Sequence, residues 1–419
     1  MYINQSNEPM KKIIPLLSVI VLFSCQKESN TGGGGGTPPV TDSFTVSVSN
    51  GYGNGKYKTG DTVHIFSVAT SNSQLFNTWA GADVSLLNGK DEWHTWFIMP
   101  SRNVSFSGSL KSITPVTLNF EQIMGRDRLK PVYYYFPAGH KGFVYLLHGT
   151  GGTAENLTKS YEFQLMISAL INDNFGVIIT ESEESTLYTD LNGDGKIRWN
   201  PIPLDSTTNV DFANIKVITD EFYNRGVTNR SKFRYSVGMS NGGNFSSYVT
   251  YLFNYKAGIS YCAPSGGVMA NSLNSPFQFC MARFDNNENV GPTGNTNALT
   301  NSQTISGRGV CSKYLMQEHS PLYAERFARK GDISISQSTA VFNELKTKGF
   351  LDSKNYFIGF SEDLSTAYQA NPLSFPAMNS LNALQRISLL EQIALAVADH
   401  HIYSDYNSAT LKFLNSQCN

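Results

Sequence analysis

Apolar and polar positions follow two different patterns along this chain. Between residues 42 and 112 the period is two. Phe44-Thr45-Val46-Ser47-Val48 and Thr62-Val63-His64-Ile65-Phe66 put apolar side chains on one face of short extended segments, and Asn50-Gly51 and Asn54-Gly55 mark turns between strands. An all-β module is predicted there. From about residue 113, apolar runs alternate with helix-length periodic segments, which predicts an α/β domain with a largely parallel sheet over 113–419. Phe143 to Leu147 is a continuous apolar stretch, as a strand covered on both faces requires, and Phe277 to Phe284 reads as another strand. Tyr235 to Val237 and Tyr356 to Phe360 are read as further strands. Helices are predicted over Asn244 to Asn254, Ser338 to Lys348, Leu381 to Val397 and Ser408 to Leu414, with a capped helix between Ser320 and Gly331.

The start of the chain breaks both patterns. Lys11 and Lys12 precede an apolar run of 11 residues, Ile13 to Phe23, too short for the roughly 20 residues of a membrane span. It reads as a secretory signal over 1–24. Leu22-Phe23-Ser24-Cys25 resembles a bacterial lipobox, which implies lipid on Cys25 and a place in the bacterial cell envelope, tethered to the outer membrane. Gln26-Lys27-Glu28 looks like a surface-export tag, and the periplasmic and outward faces both stay open. Gly32 to Gly36 followed by Thr37-Pro38-Pro39 gives residues 25–41 the composition of an extended linker.

Charge removes one class of partner. Lys and Arg number 32 and Asp and Glu 33, so no basic field exists to hold nucleic acid. Besides Cys25, Cys262, Cys280, Cys311 and Cys418 make an even set in an oxidising compartment, compatible with up to two disulfides in three pairings. Within 42–112 the landmarks Gly51-Tyr52-Gly53, Gly60-Asp61-Thr62-Val63, Phe76-Asn77-Thr78-Trp79 and Phe97-Ile98-Met99-Pro100 resemble the divergent repeat modules of bacterial surface proteins. Trp79, Trp93 and Trp96 are read either as the core of so small a domain or as platforms for a sugar ring.

The candidate chemistry lies in the α/β region. Tyr235-Ser236-Val237 runs into Gly238-Met239-Ser240-Asn241-Gly242-Gly243, a G-x-S-x-G in a strand, turn and helix context. Upstream, the strand Phe143 to Leu147 enters His148-Gly149-Thr150-Gly151-Gly152. With Gly125-Arg126-Asp127-Arg128, Tyr135 to Gly139 and Val210-Asp211-Phe212, these motifs resemble the α/β-hydrolase esterases grouped with polyhydroxybutyrate depolymerases and feruloyl or acetylxylan esterases, over about residues 117 to 419. The resemblance implies an α/β-hydrolase fold, with a mostly parallel sheet, helices on both faces and the small all-β domain in front.

It also implies a Ser-His-acid triad, because a serine hydroxyl needs a histidine base and the histidine an orienting carboxylate. Ser240 is the expected nucleophile, and the N–H groups of Asn241 and Thr150 the expected oxyanion donors. Asp285, at the end of the Phe277 to Phe284 strand, is favoured as the acid over Asp332. For the base, Asp399-His400-His401-Ile402-Tyr403 offers two histidines, and the family's Gly-His-x-Trp spacing favours His401. The stretches 286–337 and 361–399 look like insertions, and the Leu381 to Val397 helix is read as a lid over the site or as packing on the sheet edge.

Asp190-Leu191-Asn192-Gly193-Asp194-Gly195-Lys196-Ile197 reproduces the first eight positions of a calcium loop, with Asp190, Asn192 and Asp194 as ligands, but Pro201 stands where the bidentate Glu belongs. Structural calcium and a metal-free polar turn both fit, and no cofactor is required for catalysis. The expected substrate is an acyl ester, acetyl or feruloyl, on polysaccharide. Polyester or lipid esters, peptides, and an inactive binding protein are the alternatives.

Overall fold

The computed structural model describes residues 43–68 and 73–418. The signal segment, Cys25 and the glycine-rich linker lie outside the described residues. No helix among the described residues is long and apolar enough to cross a membrane.

The first seven strands are β1 (Ser43–Ser49), β2 (Gly51–Tyr52), β3 (Gly55–Lys58), β4 (Thr62–Ser67), β5 (Gln74–Ala80), β6 (His94–Ile98) and β7 (Val104–Ser112). They form two small sheets, β3-β1-β7-β5 and β2-β4-β6, in which the β1/β7 pair is parallel and the others antiparallel. The two-residue period sends Val46, Val48, Val63, Ile65, Phe97 and Phe106 into a common core. Trp79 and Trp93, each 2% exposed, belong to that core, so neither is a sugar platform.

Eight strands build the main sheet: β8 (Asn119–Met124), β9 (Leu129–Tyr135), β10 (Gly142–Leu147), β11 (Phe175–Ile179), β12 (Phe233–Met239), β13 (Ala257–Tyr261), β14 (Phe277–Ala282) and β15 (Ser312–Gln317). Their order is β8-β9-β11-β10-β12-β13-β14-β15, antiparallel at β8/β9 and β9/β11 and parallel elsewhere. Every residue of β10 is buried, and alternate residues feed opposite faces. Val144 and Leu146 pack with Phe163 and Leu170 of the helix Tyr161–Asn172 and with Phe413 of the helix Asn407–Ser416. Phe143, Tyr145 and Leu147 pack with Phe212 and Ile218 of the helix Val210–Asn224 and Phe245 of the helix Asn241–Leu252. Each fully buried aliphatic or aromatic side chain of this kind contributes about 1.5–3 kcal/mol, which is why the uninterrupted runs sit at the sheet centre.

Three sequence expectations are corrected beyond β14. The edge strand is β15, reached through the helix Gly291–Gly307, whereas Tyr356 to Phe360 makes only an isolated bridge between Leu351 and Phe357. β15 is half-buried along most of its length, so it lacks the apolar run that betrays a central strand. The inserted part is therefore the segment after β15, where the helices Ile335–Thr347, Ser361–Ala370 and Ala383–Val397 gather around Phe327, Val341, Leu345, Leu389 and Ile393. Within it, the capped helix expected before Gly331 is only a 3-10 turn, Arg326–Lys330, closed by Gly331 at φ 85°.

The β1–β7 segment is fastened to this body. Trp93 N–H donates to Asp405 O at 2.8 Å, and the Arg329 guanidinium lies 3.8 Å from the Trp93 ring while binding Asp405 at 2.6 Å. Among the described residues Cys311 and Cys418 form a disulfide, tying the start of β15 to the C-terminal helix, and Cys262 and Cys280 are buried free thiols.

Candidate active site

Ser240 stands between β12 and the helix Asn241–Leu252 at φ 56° and ψ −124°, a conformation that side chains rarely adopt. The turn is possible only with glycine beside it. A Cβ on Gly238 would meet the Gly242 carbonyl oxygen at 2.1 Å, and one on Gly242 would meet the carbonyl oxygens of Leu147 and His148 at 2.3 and 2.4 Å. Ser240 N–H donates to Tyr261 O at 2.8 Å, which pins the elbow to β13.

The loop after β10 lies against this turn. Gly151 N–H donates to Ile197 O and Gly152 N–H to Gly149 O, while among the described residues the N–H groups of Thr150 and Asn241 find no acceptor within the protein. Both residues line the same cleft as Ser240, a hollow of about 670 Å³. Two uncommitted donors beside a serine are what a tetrahedral oxyanion requires.

Behind the loop, a buried network makes sense of the other sequence landmarks. His148 Nε2 accepts from Ser182 N–H at 3.0 Å and His148 Nδ1 pairs with Gly149 O at 2.7 Å, so the ring is fully used in its neutral form. Burial above all pushes its pKa down to about 4. Lys130, wholly buried, pairs with Glu183 at 3.2 Å; Arg128 binds the same carboxylate at 2.5 Å. Asp211 accepts from Glu183 N–H and Asn200 N–H at 2.7 and 2.8 Å. Trp199, inconspicuous in the sequence, joins these parts. Its backbone N–H and C=O bond to the Asn241 side chain at 2.8 and 3.2 Å, its indole N–H donates to His148 O at 3.1 Å, and its ring stacks on Phe245 at 4.9 Å.

Asp285 follows β14 and is buried. His400, not His401, faces it: His400 Nδ1 lies 2.8 Å from Asp285 Oδ2, and His400 lines the cleft with Ser240. The expectation of His401 is corrected, because the His401 ring turns to Ile402 O at 3.0 Å. Asp332 belongs to the helical insertion, where its carbonyl accepts from Gln385. Asp399, whose part the sequence did not reveal, braces both loops through one oxygen, accepting His400 N–H at 2.6 Å and Asn286 N–H at 3.1 Å. Burial raises its carboxyl above the usual range against the pull of those two donors.

Cys262, Asp285 and His400 bring potential metal-ligating atoms within 4.8 Å of one another. They do not suit a metal. Two of these atoms are already taken up by the Asp285–His400 pair at 2.8 Å, and the third belongs to the thiol of buried Cys262. Its Sγ instead donates to His401 O at 3.1 Å.

In the loop of Asp190, Asn192 and Asp194 the protein itself occupies the oxygens. Asp190 accepts the N–H groups of Asn192, Gly193, Asp194 and Gly195, and Arg198 binds Asp194 at 2.5 Å. The ends of the loop are held by buried Glu184, which accepts Leu191 N–H at 3.1 Å and Arg198 N–H at 2.8 Å. A guanidinium on one of three proposed ligands fits a metal-free turn better than calcium.

The Ala383–Val397 helix contributes no residue to the cleft and packs on the insertion's own core, so it is not a lid.

Strand order, with Ser240, Asp285 and His400 carried on loops of the main sheet, gives the chain an α/β-hydrolase fold. No family model and no curated protein matches the chain. Among solved structures, a dienelactone hydrolase from Anabaena variabilis aligns at 12% identity over 48% of this chain and 85% of its own, with a TM-score of 0.35. An acylaminoacyl peptidase from Pyrococcus horikoshii aligns at 12% identity over 72% of this chain and 49% of its own, about half its length, with a TM-score of 0.36. A serine hydrolase without a lid from Xanthomonas campestris aligns at 12% identity over 49% and 86%, with a TM-score of 0.32.

Proposed function

We propose that this protein is a serine esterase that cleaves acyl esters, acetyl or feruloyl, carried on polysaccharide, and that lipid on Cys25 tethers it to the bacterial outer membrane. The observation that carries the catalytic reading is the Asp285–His400 pair facing the cleft that holds strained Ser240 and the free N–H groups of Thr150 and Asn241.

In this reading the Asp285 carboxylate accepts the Nδ1 proton of His400 and leaves Nε2 as the base. As the Ser240 oxygen attacks the ester carbonyl carbon, its proton passes to Nε2, and the carbonyl oxygen takes up charge between the two N–H groups. One such donor is worth about 3–4 kcal/mol in the transition state. Collapse of the tetrahedral species breaks the bond to the alkoxy oxygen, which receives the proton from Nε2 and departs as the alcohol. Water, deprotonated by the same Nε2, then releases the acid from the acyl-enzyme. What supports the polysaccharide carrier is that Lys196, Arg198, Asn244, Tyr248, Asn287 and Asn289 on the walls of the cleft offer polar groups that can meet sugar hydroxyls.

The test is turnover of p-nitrophenyl acetate by the wild type beside Ser240→Ala, followed by release of acetate and ferulate from xylan. An inactive wild type would sink the enzyme reading. Activity on the small ester without release from xylan would move the substrate to another ester. Metabolic labelling with a fatty-acid probe, lost in Cys25→Ser, tests the tether.

A further inference from the structure

A second cleft, of about 640 Å³, lies where β2–β4 meet the helical insertion, and its walls include Tyr52, Thr62, His64, Tyr323, Lys354 and Tyr356. We propose that it is a second binding site for neutral glycan, taking a pyranose unit of the chain whose ester the Ser240 site acts on; the identity of that chain rests on the function proposed above.

The walls are aromatic and held in place. Tyr52 stacks on Tyr323 with ring centroids 4.8 Å apart, and Phe66 supports Tyr323 at 4.7 Å. Tyr356 OH bonds to His64 Nε2 at 2.9 Å, the other nitrogen of His64 is 2.9 Å from His94 Nε2, and Asp352 accepts the N–H groups of Lys354 and Tyr356 at 2.8 Å each. Polar capacity is left over. Among the described residues, the hydroxyls of Tyr52, Thr62 and Tyr323 and the ammonium of Lys354 make no hydrogen bond within the protein, although all four residues line the cleft.

Aromatic surface with spare hydroxyls and little net charge matches a sugar ring, which presents an apolar C–H face and a rim of hydroxyls. Lys354 is offset by Asp61 on the same walls, so no cluster of cations invites a phosphate or an acidic chain. Burial, with a smaller contribution from His319, brings His64 down to about 4, and it adds no charge at neutral pH.

The cleft is also joined to the catalytic end of the sheet. Tyr356 contacts His319 with centroids 4.8 Å apart, and His319 contacts Phe284 at 5.6 Å, next in sequence to Asp285. Trp79 and Trp93, singled out by sequence, are core, and the tyrosines facing the insertion take the place expected of them.

The test uses the full chain carrying Ser240→Ala, so that substrate is not consumed, in affinity electrophoresis through soluble arabinoxylan, galactomannan and mixed-linkage glucan. At least one glycan is expected to retard the protein, and Tyr52→Ala and, separately, the rim variant Lys354→Ala are expected to raise the dissociation constant at least fivefold. With Ser240 intact, the same two variants keep p-nitrophenyl acetate turnover within twofold of wild type, which shows that they fold. Retardation by none of the glycans, or retardation unchanged in both variants, overturns the proposal. Glycan binding with no ester turnover would instead overturn the esterase reading and leave the second site standing.

Discussion

Replacing Asp285 by asparagine changes one atom and isolates the role of the carboxylate. Asp285 Oδ1 accepts Asn287 N–H at 3.0 Å, and Oδ2 faces His400 Nδ1 at 2.8 Å. The Asn287 N–H demands an oxygen, so the new amide nitrogen takes the place of Oδ2 and points its hydrogens at His400. Nδ1 must then accept, and the imidazole proton moves to Nε2, where no base is left for Ser240. The opposite amide orientation would set two buried donors against each other at a cost of about 1–3 kcal/mol. A histidine held in the wrong tautomer in this way loses about 10⁴ in kcat, about 5 kcal/mol of transition-state stabilisation. For Asp285→Asn we predict a fall in kcat of about 10³–10⁴ on p-nitrophenyl acetate, with KM changed less than threefold, since the residue is buried and binds no substrate. A melting temperature within a few degrees of wild type shows that the loop survives. Turnover within tenfold of wild type would refute the triad argument.

Three further predictions concern the scaffold. His148 is held neutral in the folded protein and titrates near about 4 rather than about 6.5, so below pH 6.5 the unfolded chain binds more protons. Stability falls as pH drops through that window by at most about 3 kcal/mol, and His148→Gln, which keeps an acceptor for Ser182 N–H, should flatten denaturant midpoints measured from pH 7 to 4; an unchanged slope speaks against it. The Cys311–Cys418 disulfide closes a 107-residue separation, for which chain entropy gives an upper value of about 4–5 kcal/mol, so Cys418→Ser should lower the melting temperature by about 5 °C without loss of turnover. The Asp190 loop is braced by Glu184 and Arg198, so EDTA should leave the melting temperature within about 1 °C while Glu184→Ala lowers it by several degrees; the reverse result would restore calcium.

What could be read from the sequence was local. The Gly238 to Gly243 elbow is legible because hard-sphere contacts within a few residues dictate glycine there, and β10 because both its faces are covered. His400 was missed because neighbouring residues of an irregular loop have no period, and the choice depends on contacts far apart in sequence. Asp399 anchors the loop through Asn286, and the Tyr403 hydroxyl bonds back to Asp399 O. β15 escaped because an edge strand is only half-buried and has no apolar run. Trp199 carried no signal, since its partners Asn241, His148 and Phe245 meet it only in the folded chain.

The central claim is that Ser240, His400 and Asp285 form one catalytic unit, and the most direct test compares His400→Ala with His401→Ala in turnover of p-nitrophenyl acetate and in labelling of Ser240 by a fluorophosphonate. His400→Ala is expected to lose at least about 10³ in kcat and to stop labelling, while His401→Ala, which removes a ring turned to Ile402 O, stays within about tenfold. Loss on His401→Ala with His400→Ala active would contradict the account.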